Sequence, residues 1–425
     1  MTVYEKMLAT LDSDKVKEQL SMLYGSDEAI CSAQAERYKE LVCRHEKYFG
    51  NADELHMISA PGRMEIGGNH TDHNHGKVLA ASASLDTLAC VSIRKDSFVR
   101  VRSEGYPLIE LDLRTLTPRD NEKGRTSGLI RGVADRMVQM GYKVGGYEAT
   151  ITSSVVSGSG LSSSAAYEVM TCAILDRLYN QGNMDFKDAA MISQYAENVH
   201  FGKPSGLLDQ MASAAGGLVT VDFKDEKPLV RAMNYDFAAK GYAIVVVAPG
   251  GSHANLTDHY AAIPQEMKQV AACLGGQFLR DVSEDTFRSS IGSLRGKVSD
   301  RAILRALHFY QENNRVDRQI EALEKDDIEA FFREIIASGR SSFMYLQNIY
   351  AFADQQPLSL ALALAEEILN GRGAWRVHGG GFAGTTLNFV PYDLLQKFVS
   401  TMRAAFGPKS CLILNIRPEG AYELK

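Results

Sequence analysis

The chain is poor in several features that would otherwise classify it. Its 425 residues include one tryptophan, Trp375, and six cysteines, Cys31, Cys43, Cys90, Cys172, Cys273 and Cys411, set far apart with no CxxC pair. That spacing predicts separate thiols in a reducing compartment, not a disulfide framework or a zinc ribbon. No window approaches the roughly 20 apolar residues that cross a bilayer. The N-terminal stretch MTVYEKMLATLDSDKVKEQL mixes acids and bases where a secretory leader would be apolar. Charge of one sign is also missing: 46 Lys and Arg against 52 Asp and Glu leave a formal charge of -6, with the bases scattered. This argues against nucleic acid as a partner. No short repeat or low-complexity tract is evident. A cytoplasmic protein with no membrane partner is expected, as a monomer or weak homodimer.

What is present is enough for two lobes. The length exceeds what one hydrophobic core usually supports, and 45% of the residues are apolar. Residues 1–50 read as helical, with SAQAERYKELVCRHEKYFG as an amphipathic segment ending at Gly50. HMISA reads as a strand before the glycine-rich turn PGRMEIGGNHTDHNHG, and VLAASASLDTLACVSIRKD reads as further strands. Helices are predicted over 162–178, 186–200 and from Ser205 or Gly206 onward. AKGYAIVVVAPG reads as a buried strand, and helices are predicted over 256–274, 297–340, 357–370 and 391–404. The division predicted is a helical extension over 1–34, a first lobe over 35–240 and a second over 241–425, with a cleft between the lobes.

The sharpest chemical signal is SGSGLSSSAA, Ser157 to Ala166. Gly158 and Gly160, flanking Ser159, would permit a tight turn and close backbone approach to a ligand, and Leu161 is expected to open a strongly periodic helix whose free amides suit a polyphosphate. Ser162, Ser163 and Ser164 could cap that helix, touch phosphate or offer a hydroxyl to a cation. The lysine of a Walker A loop is absent and GxGxxG spacing fails. A plain Gly/Ser turn with a helix cap is the alternative. Arg63, after a Pro-Gly pair, is either a cleft cation or half of a surface ion pair. Asp209, in PSGLLDQ, is either a cleft carboxylate or a helix cap. Glu197 lies near the end of a predicted helix, where a carboxylate opposes the helix dipole unless a cation compensates. His70, Asp72, His73 and His75 could bind hydroxyls or ligate a metal. Tyr260 could pack on a ligand face or in the core, and Trp375 reads as core. Gly379, Gly380, Gly381 and Gly384 lie between two strands, where so many glycines imply close backbone packing.

These segments resemble the GHMP small-molecule kinases. SGSGLSSSAA resembles their central motif PxGxGLSSSAA, with Val156 at the proline position. GRMEIGGNHTDHNHG, from Gly62 to Gly76, is similar to the galactokinase signature GRxNLIGEHTDYNxG, and RVHGGGFAG, from Arg376 to Gly384, to the third motif RxTGxGFGG. The resemblance covers about residues 35–425. It implies an α+β, two-lobe GHMP kinase fold, with an S5-domain-2-like first lobe and a ferredoxin-like second lobe. It also implies ATP-dependent phosphorylation of a sugar at its anomeric hydroxyl, with ATP and Mg2+ required. By the same resemblance Arg63 and Asp209 are catalytic. Glu197 and Ser164 hold Mg2+, the segment from Gly158 to Ser164 holds ATP, and Asn69, His70, Asp72, Gly206 and Tyr260 contact the sugar.

Several positions depart from the family pattern. Asn69 replaces a glutamate that contacts the exocyclic hydroxyl of galactose, which leaves galactose, galacturonate and L-arabinose as candidate substrates. Glu65 replaces an asparagine and could pair with Arg63, while His378 and Ala383 replace a threonine and a glycine. A catalytically silent sugar and ATP sensor is the alternative of a different class; the intact SSSAA and Asp209 speak against it.

Overall fold

The computed structural model describes residues 1–155, 160–251 and 256–425. Its strands are β1 (His56–Gly67), β2 (Lys77–Ile93), β3 (Phe98–Ser103), β4 (Ile109–Asp112), β5 (Tyr147–Ser153), β6 (Leu218–Asp222) and β7 (Leu229–Met233), then β8 (Tyr242–Val247), β9 (Ala374–His378), β10 (Thr385–Pro391), β11 (Cys411–Leu414) and β12 (Tyr422–Leu424). The first sheet runs β12-β1-β2-β5-β3-β4, with β6 pairing the early part of β2 and β7 pairing β6. The second runs β11-β8-β10-β9, antiparallel throughout. Helices separate β8 from β9 and β10 from β11. That is the split β-α-β order of a ferredoxin-like sheet, so the expected α+β two-lobe architecture is present. Tyr242–Val247 is central in this sheet, which is why its run of valines is almost wholly buried.

β1 is longer than HMISA alone. It continues through Pro61, Gly62 and Arg63 to Gly67, with its pairing to β2 slipping between Pro61 and Arg63 and again between Glu65 and Gly67. Pro61 has no N–H to give, and the Arg63 N–H leaves the sheet to donate to the Leu161 carbonyl at 2.9 Å. Arg63 therefore stands on an irregular, bulge-like stretch of strand, not on a free turn. The helix predicted over 297–340 is two helices, Asp300–Glu324 and Ile328–Ser341, broken at Asp326 with φ 56°. The helix from Phe186 changes at Tyr195 into a π-helical turn, Ala196–Phe201, and the next helix starts at Leu208.

The N-terminal helices Val3–Leu11, Asp14–Tyr24 and Glu28–Phe49 cover β1 and β2 through Leu20, Tyr38, Leu41, Met57, Leu88 and Cys90. The division expected at residue 34 falls inside the third of these helices. At the other end the chain returns to the first lobe, where β12 pairs with β1. One buried carboxylate ties the N-terminal helices and the returning C-terminal segment to the first sheet. Asp86, fully buried on β2, accepts from Arg37 Nη1 at 2.6 Å, Arg417 Nη1 at 2.8 Å and the Tyr24 hydroxyl at 2.5 Å. Burial pushes its carboxyl up, but Arg37 and Arg417 outweigh that and hold it below the usual range. Among the described residues no helix is long and apolar enough to cross a membrane. Replacing Asp86 with Ala leaves Arg417 buried and unpaired, and denaturant unfolding is expected to show a loss of about 3–5 kcal/mol.

Candidate active site

A cleft of about 2090 Å³ is lined by Arg63, Asp72, Ser164, Glu197, Asp209 and Tyr260, among others. Arg63, only 6% exposed, is its structural centre. Its Nε donates to Asp209 Oδ1 at 2.6 Å and its Nη1 to the Gly160 carbonyl. Gly160 has φ +73°, and a Cβ there would meet Thr385 Oγ1 at 2.2 Å, so glycine is required where the loop passes the second lobe. Asp209 sits in the first turn of the helix Leu208–Ala215. Burial pushes its carboxyl up; Arg63, the Ser162 hydroxyl and Lys203 more than reverse this, and the group stays ionised below the usual carboxylate range.

On one side lies an oxygen-rich corner. Ser164 Oγ donates to Glu197 Oε1 at 2.9 Å, Lys203 Nζ lies 2.9 Å from the same oxygen, and Gln210 Nε2 donates to Glu197 Oε2 at 2.8 Å. Glu197 is 1% exposed on the π-helical turn. The cation needed to offset the helix dipole is thus present as Lys203.

On the other side is the histidine loop. His70, with φ 58°, has Nε2 at 3.1 Å from the Gly380 carbonyl and Nδ1 at 3.2 Å from His73 Nε2. The Gly380 contact requires a proton on His70 Nε2, leaving Nδ1 as acceptor from His73. Burial pushes His70 down to about 4, so it is neutral at physiological pH. The Asp72 carboxyl is pushed up to about 6 by burial and by the charges of Asp209 and Glu65. A Cβ at Gly206 would lie 1.7 Å from Asp72 Oδ2, so any side chain there must displace the Asp72 carboxylate. Tyr260 donates its hydroxyl to the Gly381 carbonyl at 2.9 Å and meets Phe382 edge-on at 5.1 Å. The loop is held from the second lobe: Glu312 Oε1 accepts from the Gly68 N–H at 3.2 Å, and His308 Nε2 lies 2.9 Å from the Asn69 carbonyl oxygen.

Comparison with known proteins bears on this arrangement directly. Residues 44–93 match the galactokinase galactose-binding signature, and residues 128–217 match the GHMP kinase N-terminal domain. A galactokinase of Streptomyces coelicolor is 30% identical over 404 residues, covering 93% of this chain and 99% of its own. The chain belongs to the galactokinase family. A galactokinase of Clostridium tetani is 28% identical over 89% of this chain and 95% of its own. The crystal structure of Lactococcus lactis galactokinase complexed with galactose matches with a TM-score of 0.78 at 26% identity, over 92% of this chain and 99% of that one. Methanococcus jannaschii mevalonate kinase, at 13% identity and a TM-score of 0.61, shares the fold over 85% of this chain and 98% of its own.

Within this galactokinase-family cleft, most of the residues singled out from sequence converge, but two are placed differently. Asn69 is fully buried, and its amide is already saturated. Nδ2 donates to Glu65 Oε1 at 2.8 Å and to the Gly379 carbonyl at 2.9 Å, while Oδ1 accepts from Ser342 Oγ at 3.1 Å and Asn348 Nδ2 at 3.0 Å. Four hydrogen bonds leave it none for a sugar; it braces Glu65 from behind. Leu161 is 0% exposed, a core side chain whose carbonyl anchors Arg63, and it does not line the cleft. Glu65 pairs with Arg376, Nη2 to Oε1 at 2.5 Å, and not with Arg63. Gly158 and Ser159 lie outside the described residues. Lys203 was missed in the sequence, although a lysine six residues after an acid in EN…GK was a legible cue. Trp375, 8% exposed on β9, is core.

The raised carboxyl of Asp72 carries a stability consequence. Its folded-state value lies above the unfolded one, so its contribution is fully present below about pH 4 and is lost as pH rises through about 6. Asp72→Asn is therefore expected to stabilise the sugar-free protein by about 2 kcal/mol near pH 7. That gain should fade towards pH 4 in denaturant titrations run at both pH values.

Proposed function

We propose that this chain transfers the γ-phosphoryl group of ATP to the anomeric hydroxyl of galactose, giving ADP and galactose 1-phosphate. The observation that carries the reading is the fixed Arg63–Asp209 pair at 2.6 Å on the cleft wall beside Ser162, Ser163 and Ser164. The family relationship supports the same reaction and the same sugar.

The chemistry follows from the side chains. Asp209, ionised and oriented by Arg63, accepts a hydrogen bond from the reacting hydroxyl and takes its proton as the O–P bond forms. Its low basicity suits a loose transfer, in which the proton leaves late and early abstraction is unnecessary. Arg63 keeps the carboxylate charged and offsets negative charge that builds nearby. His70 and Asp72 hold sugar hydroxyls, Gly206 keeps the Asp72 carboxylate accessible, and Tyr260 supplies an apolar ring at the cleft wall. Gly160, Ser162 and Ser163, which line the cleft, receive the ATP phosphates.

The Ser164 hydroxyl and the Glu197 carboxylate are the hard oxygen donors that Mg2+ prefers, one carboxylate plus nucleotide oxygens being a usual complement. When bound there, Mg2+ neutralises charge on the transferring phosphates. Lys203, whose side chain is 57% exposed, can turn outward from Glu197 to admit it.

The test is ADP release from ATP and Mg2+ across galactose, galacturonate, L-arabinose, glucose, N-acetylgalactosamine and a no-sugar control. Strong galactose-dependent release is expected, with Asp209→Ala lowering kcat by about 10²–10⁴-fold. Release that is independent of sugar, or equal in the variant, refutes the reading. Gly206→Ala is expected to raise the KM for galactose at least about tenfold, because a methyl at that position displaces the Asp72 carboxylate.

A further inference from the structure

The Glu65 carboxylate has two unequal oxygens. Oε1 is fully engaged, receiving Arg376 Nη2 at 2.5 Å and Asn69 Nδ2 at 2.8 Å. Arg376 is itself wholly buried and gives its other donors to the carbonyls of Val377, at 2.9 Å, and Ile66, at 2.7 Å. The Glu65 backbone N–H donates to His378 Nε2 at 3.0 Å. The Arg376 and Asn69 contacts fix the side chain through Oε1. Among the described residues, Oε2 accepts no hydrogen bond. Yet the side chain is only 7% exposed, and the surface it does present lines the same cleft as Arg63, Asp72 and Asp209.

A carboxylate already held in place through one oxygen offers the other to a donor in the cleft without first losing side-chain freedom. Glu65 is two residues beyond Arg63 on β1, and with a rise of about 3.3 Å per residue the two lie some 6–7 Å apart along the strand. Asp209 and Arg63 mark where the reacting hydroxyl sits, so Glu65 stands further along the same wall, beside the remainder of the ligand. We propose that Glu65 is a specificity-determining residue: its free oxygen accepts a hydrogen bond from a non-reacting sugar hydroxyl and repels substrates that carry a carboxylate there. With Asp72 and Asp209 it makes three acids converging on the sugar side of the cleft, so the substrate class is a neutral hydroxylated sugar and uronates are excluded. This rests on the kinase reading above and sharpens its sugar selectivity. It also reverses what Asn69 suggested, since the residue facing the ligand is the charged one.

The experiment uses the full chain. Glu65→Gln keeps an acceptor for Arg376 and Asn69 on one atom and puts an NH2 where Oε2 was, turning an acceptor into a donor. The variant is expected to raise the KM for galactose about tenfold with kcat changed less. It should also raise the galacturonate-to-galactose ratio of kcat/KM at least tenfold, because a uronate carboxylate accepts from that NH2. A purely structural role lowers both sugars alike, and an unchanged ratio overturns the proposal. Should the variant fail to fold, calorimetry of the unaltered protein without ATP decides the matter. Galacturonate must bind at least about a hundredfold more weakly than galactose, and equal affinities overturn the proposal. These binding arms remain decisive even if no ADP is released with any sugar, an outcome that refutes the kinase reading alone.

Discussion

The Arg63 guanidinium is the constraint on which the site is built. It comes from a strand, binds the first turn of a helix through Asp209 and holds a loop through the Gly160 carbonyl, while its own N–H secures the adjoining Leu161. A cation this deeply buried is tolerable only when its donors are satisfied. The irregular pairing of β1 at Pro61–Arg63 is therefore more than a local defect, since it frees the Arg63 N–H to leave the sheet and turns the residue toward the loop. The sheet, the Gly160–Leu161 segment and the helix that carries Asp209 are fixed relative to one another by one side chain and its peptide group.

A second set of buried charges joins the lobes. Arg376 from the second sheet meets Glu65 from the first, and Glu312 on the helix Asp300–Glu324 receives Ser338 at 2.6 Å and Arg315 as well as the Gly68 amide. Burial pushes the Glu312 carboxyl up, but Arg315 and its other donors bring it down to about 2, so it is fully ionised. The sugar-side loop belongs to the first lobe in sequence and to the second in its hydrogen bonding. Neither lobe alone would hold His70 at φ 58°, a backbone conformation that must be maintained by its surroundings.

What was legible in the sequence follows from how local each feature is. Helices from apolar periodicity, the buried strand at Tyr242–Val247 and the glycine requirement around Gly379–Gly381 depend on neighbours in the chain, and they were readable. That Arg63 and Asp209 belong to one site was readable only through the family resemblance, because 146 residues separate the two. The placing of Asn69 and Glu65 was not readable at all. Which of two nearby polar side chains faces a cleft depends on the strand's irregular register and on Arg376, 311 residues away from Glu65. The return of the C-terminal strand to the first sheet depended likewise on a distant partner, Asp86, whose need for two arginines no local pattern announces.

The two aspartates of the sugar side are driven in opposite directions, and this separates their tasks. Asp209 and Asp72 share a cleft and are each penalised by burial, but only Asp209 has an arginine in contact, so it is held low while Asp72 is held high. A pair of carboxylates pushed apart in this way divides its roles by environment rather than by residue type. Asp209 is already paired, and Arg63 holds it ionised and in place before any ligand arrives. Asp72 has backbone donors alone to offset two neighbouring acids, and in the proposed reaction a pair of sugar hydroxyls would supply the donors it lacks. Under that proposal part of the binding free energy would come from relief of an electrostatic penalty that burial, Asp209 and Glu65 already place on Asp72.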